Sequence, residues 1–336
     1  MKEAAIVILN YNGEAMLRQY LPQVISDSIF DIVVVDNGSD DASLSFLRNN
    51  FPNIRVIFLS ENHGYSKGYN LGLEDLKGEY SYYLLLNSDV KVTADWDRAL
   101  VTYLSDKPDV AACQPKVLSL VKKGYFDYAG AAGGFLDHLG YPFCRGRVLH
   151  VLEEDQGQYS DSIELDWASG ACFCVNSSIF HKLGGFNPHF FSHMEEIDLC
   201  WRMRNEGYKI HYCGESSVYH LGGGTLSQVN PFKTYLNFRN SLYMLKSNLE
   251  VNSFIKVFCV RLVMDFGAMM HLLFTKGFSH SRAVVKAYWD FLTMREALRF
   301  PQVKKVKRFK SAKTNPIYSI IISYYFKGKK KYSQLN

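Results

Sequence analysis

Several features are missing from this 336-residue chain, and each absence removes a class of function. The seven cysteines, Cys113, Cys144, Cys172, Cys174, Cys200, Cys213 and Cys259, include no Cys-x-x-Cys pair. Reduced core thiols are expected instead of zinc ribbons or redox motifs. No Gly-x-x-x-x-Gly-Lys-Ser/Thr element occurs, and the first apolar run leads into Asn10-Tyr11-Asn12-Gly13, not into a glycine-rich basic turn. A P-loop, a dinucleotide fold and a sugar nucleotidyltransferase are all disfavoured. The amino terminus has no basic segment followed by an apolar stretch, so no signal peptide is expected and the protein should remain where it is made. What is there, 47% hydrophobic and 15% aromatic residues, can supply a substantial core.

The residues 82–89, Tyr-Tyr-Leu-Leu-Leu-Asn-Ser-Asp, are the most informative stretch: a buried-strand pattern that stops at a carboxamide and a carboxylate. With a side-chain period of two, Asn87 and Asp89 are expected on one side where the apolar run ends, and ligands collect at the carboxyl ends of parallel strands. A turn reading of Asn-Ser-Asp competes on the tripeptide alone. Three more apolar runs, residues 4–12, 32–39 and 54–59, each end in polar residues, and helical patterns alternate with them. That alternation predicts a doubly wound, mostly parallel α/β sheet with polar groups along one edge.

Further along, residues 190–202 place Glu195, Glu196 and Asp198 within one turn of a helix after an aromatic run. Glu195 and Asp198 share a face and Glu196 points elsewhere. Crowded carboxylates raise one another's proton affinity, as a general base requires, whereas an acidic first turn favoured by the helix dipole is the plainer reading. Trp167 could be a platform for a sugar ring or a core aromatic. Arg239 could reach a phosphate or a lipid diphosphate, or form a structural ion pair. The glycines at 130–134 and 222–224 read as flexible loops, with Gly222 to Thr225 a candidate lid.

In order along the chain, Ile8-Leu9-Asn10-Tyr11-Asn12, Val35-Asp36-Asn37-Gly38-Ser39, Asn62-His63-Gly64 leading to Asn70, Asn87-Ser88-Asp89, Trp167-Ala168-Ser169-Gly170-Ala171 and Glu195-Glu196-Ile197-Asp198-Leu199 resemble the family 2 glycosyltransferases. These are inverting enzymes of the GT-A fold, a Rossmann-like nucleotide-diphospho-sugar transferase sheet, and the likeness extends from Lys2 to Leu245. The resemblance implies that Asn10, Tyr11, Asn12, Asp36, Asn62, Gly64, Asn70, Asn87 and Ser88 hold a nucleoside diphosphate sugar of UDP or dTDP type. It places a divalent cation, Mn²⁺ or Mg²⁺, on Asp89 and His220, and the catalytic base on Glu196. Asn87 stands where the family pattern has its first acid. Rhamnosyltransferase-like enzymes of bacterial surface polysaccharide assembly are the implied relatives, with a glycan or polyprenyl-diphosphate-linked acceptor. A non-catalytic nucleotide-sugar binder is the alternative of another class.

Three regions are expected: a catalytic domain over residues 1–245, an amphipathic helical extension over 246–300 and a basic, aromatic tail over 301–336. In the extension, Ile255, Leu262, Phe266, Met269 and Leu273 fall on one helix face and Lys256, Arg261, Asp265 and His271 on the other; no stretch there reads as long and uncharged enough to span a membrane. The tail carries ten basic residues and no acid against a net charge of +5 for the chain, which leaves −5 on the first 300 residues. Its aromatic block, residues 317–326, suits the interface of an anionic membrane; solvation and oligomer packing compete, and without a recognisable module nucleic acid is not expected. The expected location is cytoplasmic and peripheral on the inner face of the cell membrane.

Overall fold

The computed structural model describes residues 1–222, 230–294, 298, 300, 304–313 and 315–335. Strand β1 (Lys2–Asn10) is followed by α1 (Glu14–Ser26), β2 (Asp31–Asn37), α2 (Ser43–Asn50), β3 (Arg55–Leu59), α3 (Gly64–Asp75) and β4 (Tyr80–Asn87). Strands β1 to β4 pair in parallel. Their apolar runs do not alternate with polar residues because both faces are covered. Val7, Val33, Val35 and Leu85 pack with Tyr69 and Leu73 of α3, while Ile6, Ile8, Val34, Leu84 and Leu86 pack with Leu17 and Leu21 of α1 on the other side.

The sheet then becomes mixed. After β5 (Val90–Val92) and α4 (Trp96–Ser105) come β6 (Val110–Ser119) and a small four-stranded sheet of β7 (Gly134–Leu136), β8 (Pro142–Cys144), β9 (Arg147–Val148) and β10 (Val151–Leu152). Strands β11 (Ile163–Leu165) and β12 (Cys172–Asn176), helices α5 (Ser177–Lys182) and α6 (Glu195–Asn205), and strand β13 (Lys209–His220) complete the catalytic layer. The order across the main sheet is β11-β13-β6-β12-β4-β1-β2-β3, with β5 on β13. Strand β12 runs antiparallel between β4 and β6, and β13 is parallel to β6. All seven cysteines are free thiols, and all but Cys259 are buried.

The carboxy-terminal helices are α7 (Pro231–Asn248), α8 (Val251–Lys276), α9 (Phe278–Thr293) and the short α10 (Ile320–Tyr325). Two expectations are corrected here. Helix α8 spans 26 residues with a mean hydropathy of 1.7 in its most apolar window, long and apolar enough by length and composition to cross a membrane. It buries a charged pair and exposes apolar residues: Arg261 and Asp265 are 2% and 1% exposed, while Leu262 and Phe266 are 51% and 61% exposed. The two charges form an i,i+4 pair, so their burial is compensated locally and the apolar residues are left outside.

The second correction concerns the tail, whose aromatic block does not lie free. Phe309, Ile317, Ile320, Tyr324 and Leu335 are buried, and Phe309 meets Trp201 of α6 with ring centroids 4.6 Å apart. The Ile320 amide donates to Asp137 at 2.7 Å and the Tyr332 amide to Glu153 at 2.9 Å. Burying each apolar side chain contributes about 1.5–3 kcal/mol, so the strap stays docked, with Lys313 buried and Lys304, Lys307, Lys310, Lys327, Lys330 and Lys331 exposed.

Candidate active site

The ends of β1 and β2 are tied together by their polar residues. Asn10 Nδ2 donates to Asp36 at 3.0 Å and to Ser39 at 3.2 Å, and the Ser39 amide donates to the other Asp36 oxygen at 3.0 Å. Asp36 is fully buried, so it braces the edge from below. Asn12, at φ +49°, accepts from the Asp40 amide at 2.9 Å, and Tyr11 is 39% exposed, which leaves its ring open for stacking. Asn62 accepts from the Gly64 amide at 2.9 Å and from Asn37 at 3.1 Å. Gly64 has φ +75°, and a Cβ there would lie 2.5 Å from the Phe191 ring, so only glycine fits. Asn70 holds the backbone of Phe186 through both its amide atoms, at 2.7 and 2.9 Å.

Strand β4 stops at Asn87, and Ser88 and Asp89 form a turn into β5. Strand alternation therefore does not aim Asp89. Its carbonyl accepts from the Leu221 amide at 3.1 Å, and this carries its side chain to His220 at the end of β13. The His220 Nε2 lies 3.2 Å from Asp89 and its Nδ1 lies 2.9 Å from Asp127, all three residues being buried. Burial pushes the imidazole down, but hydrogen bonds to Asp127 and Asp89 and their charges win and raise it to about 10. Burial works to raise Asp89 as well, and the hydrogen bond and charge of His220 hold it below the usual carboxylate range.

This pair fits a divalent cation. A separation of about 3 Å is that of adjacent ligands on an octahedral ion with bonds of about 2.1 Å. The carboxylate of Asp127 on the far imidazole nitrogen would fix ring and tautomer. Among the described residues no cluster of three or more such ligands occurs, so most coordination positions would fall to diphosphate and water. Asp127 was not expected from sequence: it lies 93 residues from His220 in a segment without a motif.

The second acidic group begins α6. The preceding loop is strained, with Phe191, His193 and Met194 at φ +64°, +68° and +73°. Such residues cost on the order of 1–3 kcal/mol each and persist only when the surroundings hold them. Asn240 on α7 holds them, its Nδ2 donating to the carbonyls of Phe190, Ser192 and His193 at 2.8–2.9 Å. Arg239 donates to the carbonyls of His189 and Phe190 at 2.8 and 3.3 Å, to Tyr235 and to Asn240. Its geometry is that of a loop clamp, without the free guanidinium that phosphate recognition would use.

The three carboxylates of this turn differ. Asp198 is 1% exposed and accepts from Arg202 at 2.8 Å and Asn248 at 2.9 Å, which makes it a packing element instead of a base. Glu195 is buried and Glu196 half-buried, and each has an Oε2 without a hydrogen-bond partner among the described residues. Burial, and for Glu195 the neighbouring Glu196, raises both, Glu196 to about 7 even though the amides of its own turn and of Gly170 pull it back.

The 167–171 segment joins the two acidic groups. Ala171 accepts from the Asn87 amide at 3.1 Å, Gly170 accepts from Tyr65 at 2.9 Å, and Gly170 packs against Glu196, whose carboxyl carbon would lie 3.8 Å from a Cβ placed there. Trp167 is 4% exposed with its indole N–H on the Phe135 carbonyl at 3.0 Å, so it is a core residue and no sugar platform. Gly134 lies directly under that ring, and Ala131 and Ala132 are fully buried, so the 130–134 glycines pack closely instead of forming a flexible loop. Of the proposed lid, residues 223–225 lie outside the described residues.

With this geometry in hand, three comparisons bear on it. Residues 5–161 match the family described as Glycosyl transferase family 2. The chain is 25% identical over 245 residues to the low-salt glycan biosynthesis hexosyltransferase Agl10 of Haloferax volcanii, covering 71% of this chain and 74% of that protein. It is 24% identical over 231 residues to an N-acetylglucosaminyl-diphospho-decaprenol L-rhamnosyltransferase of Mycobacterium tuberculosis, covering 64% of this chain and 75% of that one. Among solved structures, GalNAc-T7 with UDP, GalNAc and Mn²⁺ superposes with a TM-score of 0.57 at 16% identity, over 73% of this chain and about half, 48%, of that one. At that identity the likeness is one of fold.

Proposed function

We propose, on the premise that this chain is a glycosyltransferase carrying a Glycosyl transferase family 2 domain, that it moves a sugar with inversion from a nucleoside diphosphate donor to an acceptor hydroxyl. The observation that carries the reading is the 167–171 segment, which bonds to the strand end beside Asp89 through Ala171 and packs against Glu196 through Gly170. Asp89 and His220 would hold Mn²⁺ or Mg²⁺, and the bound cation would neutralise charge on the departing diphosphate. Tyr11 would stack on the base, and Asn87 and Ser88 would contact ribose and phosphate. Glu196, its proton affinity raised by burial toward neutrality, takes the proton of the acceptor hydroxyl as that oxygen attacks the anomeric carbon from the face opposite the diphosphate. Burial and the neighbouring Glu196 raise the proton affinity of Glu195, which opposes a second negative charge in the site.

Relatives named as hexosyl- and rhamnosyltransferases support a hexose or deoxyhexose donor, which we assign to the UDP or dTDP type. One acts on a diphospho-decaprenol, which supports a polyprenyl-diphosphate-linked glycan as acceptor, cell-surface polysaccharide synthesis as the setting and a peripheral place on the inner face of the cell membrane. The test is calorimetric titration with nucleotide sugars and Mn²⁺, followed by transfer from the donor that binds and assignment of the product anomer. An inverted glycoside supports the reading. A retained anomer, or tight donor binding with neither transfer nor hydrolysis, contradicts it.

A further inference from the structure

Helix α8 is built inside out for a helix lying on a water-facing domain. Two of its charges, Arg261 and Asp265, are turned inward: Arg261 pairs with Asp265 at 3.2 Å and donates to the Leu139 carbonyl and Ser241 at 3.1 Å, and Asp265 accepts from Tyr141 at 2.6 Å and Tyr288 at 2.7 Å. Rolling the helix to bury its apolar face would strip those charges of their partners, a change the fold resists. Outside stand Ile255, Leu262, Val263, Phe266 and Phe274, between 50% and 80% exposed. So long an apolar row on a surface marks a contact with something.

Charge decides what. On α8 and α9 the exposed charged side chains are Lys256, Lys276, Arg282 and Lys286, while both carboxylates, Asp265 and Asp290, are buried. The Tyr325 ring of α10 lies 6.3 Å from the His271 ring of α8, and next to it come Phe326, 82% exposed, and Lys327, Lys329, Lys330 and Lys331. An apolar row bordered by cations and lacking an exposed acid is complementary to anionic phospholipid. A second copy of the same face would bring like charges together. We propose that the outward face of α8, with the tip of α10 and its lysines, seats this protein on an anionic phospholipid surface. The helix lies in the interface and does not cross it, because crossing would pull Arg261 and Asp265, near its middle, away from Leu139, Tyr141, Ser241 and Tyr288.

This deepens the peripheral location proposed above and rests on that location, not on the catalytic assignment. The test is sedimentation of the full chain with vesicles of phosphatidylcholine alone or mixed with phosphatidylglycerol. The comparison proteins are Val263→Glu/Phe266→Glu and a form with Lys327, Lys329, Lys330 and Lys331 changed to Gln. Five of the six side chains are exposed and Lys329 is half-buried, so unchanged melting and UDP binding are expected and confirm intact folding. Wild-type protein should bind the anionic vesicles and release with salt, and each variant should bind about tenfold or more weakly. Wild-type binding that neither variant reduces overturns the proposal, as does absence of vesicle binding. Self-association abolished by Val263→Glu/Phe266→Glu, without vesicle binding, makes a second copy the occupant and overturns it too. UDP binding retained in either case leaves the catalytic reading standing.

Discussion

The site contains two groups of carboxylates in opposite surroundings. Asp89 and Asp127 flank one imidazole, which their hydrogen bonds keep protonated and which keeps Asp89 ionised. Glu195 and Glu196 stand side by side at the start of α6, and burial raises the proton affinity of both. The same functional group is thus prepared for two tasks: a group held ionised beside a ring nitrogen suits a cation, and one titrating near neutrality suits proton removal.

The sharpest way to break the comparison is to exchange charge for shape in the second group. Glu196→Gln is expected to lose transfer by roughly a hundredfold to ten-thousandfold while keeping donor affinity, measured by initial rates beside calorimetry. Asp198→Asn should affect stability before chemistry; loss of transfer there in a folded protein, with Glu196→Gln active, would exchange their roles. In the first group, Asp89→Ala should abolish the Mn²⁺ dependence of nucleoside diphosphate binding. Asp127→Asn should weaken Mn²⁺ roughly tenfold to a hundredfold, because nothing then fixes the ring and tautomer of the imidazole from which the cation must displace a proton. For the same reason Mn²⁺ affinity should fall as pH is lowered, and a pH-independent titration would deny His220 the ligand role.

A smaller effect concerns stability. The folded pKa of Glu196 is raised, so its contribution is fully present below the unfolded value and is lost as pH rises through about 7. Melting curves should therefore show Glu196→Gln gaining on wild type between pH 5 and pH 8, by on the order of 1–3 kcal/mol. Equal differences at both pH values would mean that Glu196 is better solvated than its surroundings indicate.

How much of this was legible in the sequence depended on the range of the interaction. The strands from β1 to β4 and the acid-bearing turn of α6 are local patterns, and they are where the motifs put them. Asp89 and His220 meet through a turn and a cross-strand hydrogen bond, not through strand periodicity. Asp127 and the Asn240 clamp answer to partners 93 and about 50 residues away, and nothing near them in sequence signals it. Helix α8 misled for a different reason. Amphipathic reasoning assumes that polar residues seek water, and a buried ion pair with tyrosine and carbonyl partners removes that assumption.

The central claim, that the two acidic groups divide cation holding from proton removal, meets its most direct test in the pH dependence of single-turnover transfer at saturating donor and Mn²⁺. Wild-type rate should rise with pH and reach half its maximum near 7, following the ionisation of Glu196, and Glu196→Gln should keep only a slow rate without that rise. A wild-type rate flat from pH 6 to 8, or the same profile surviving in Glu196→Gln, would contradict the account.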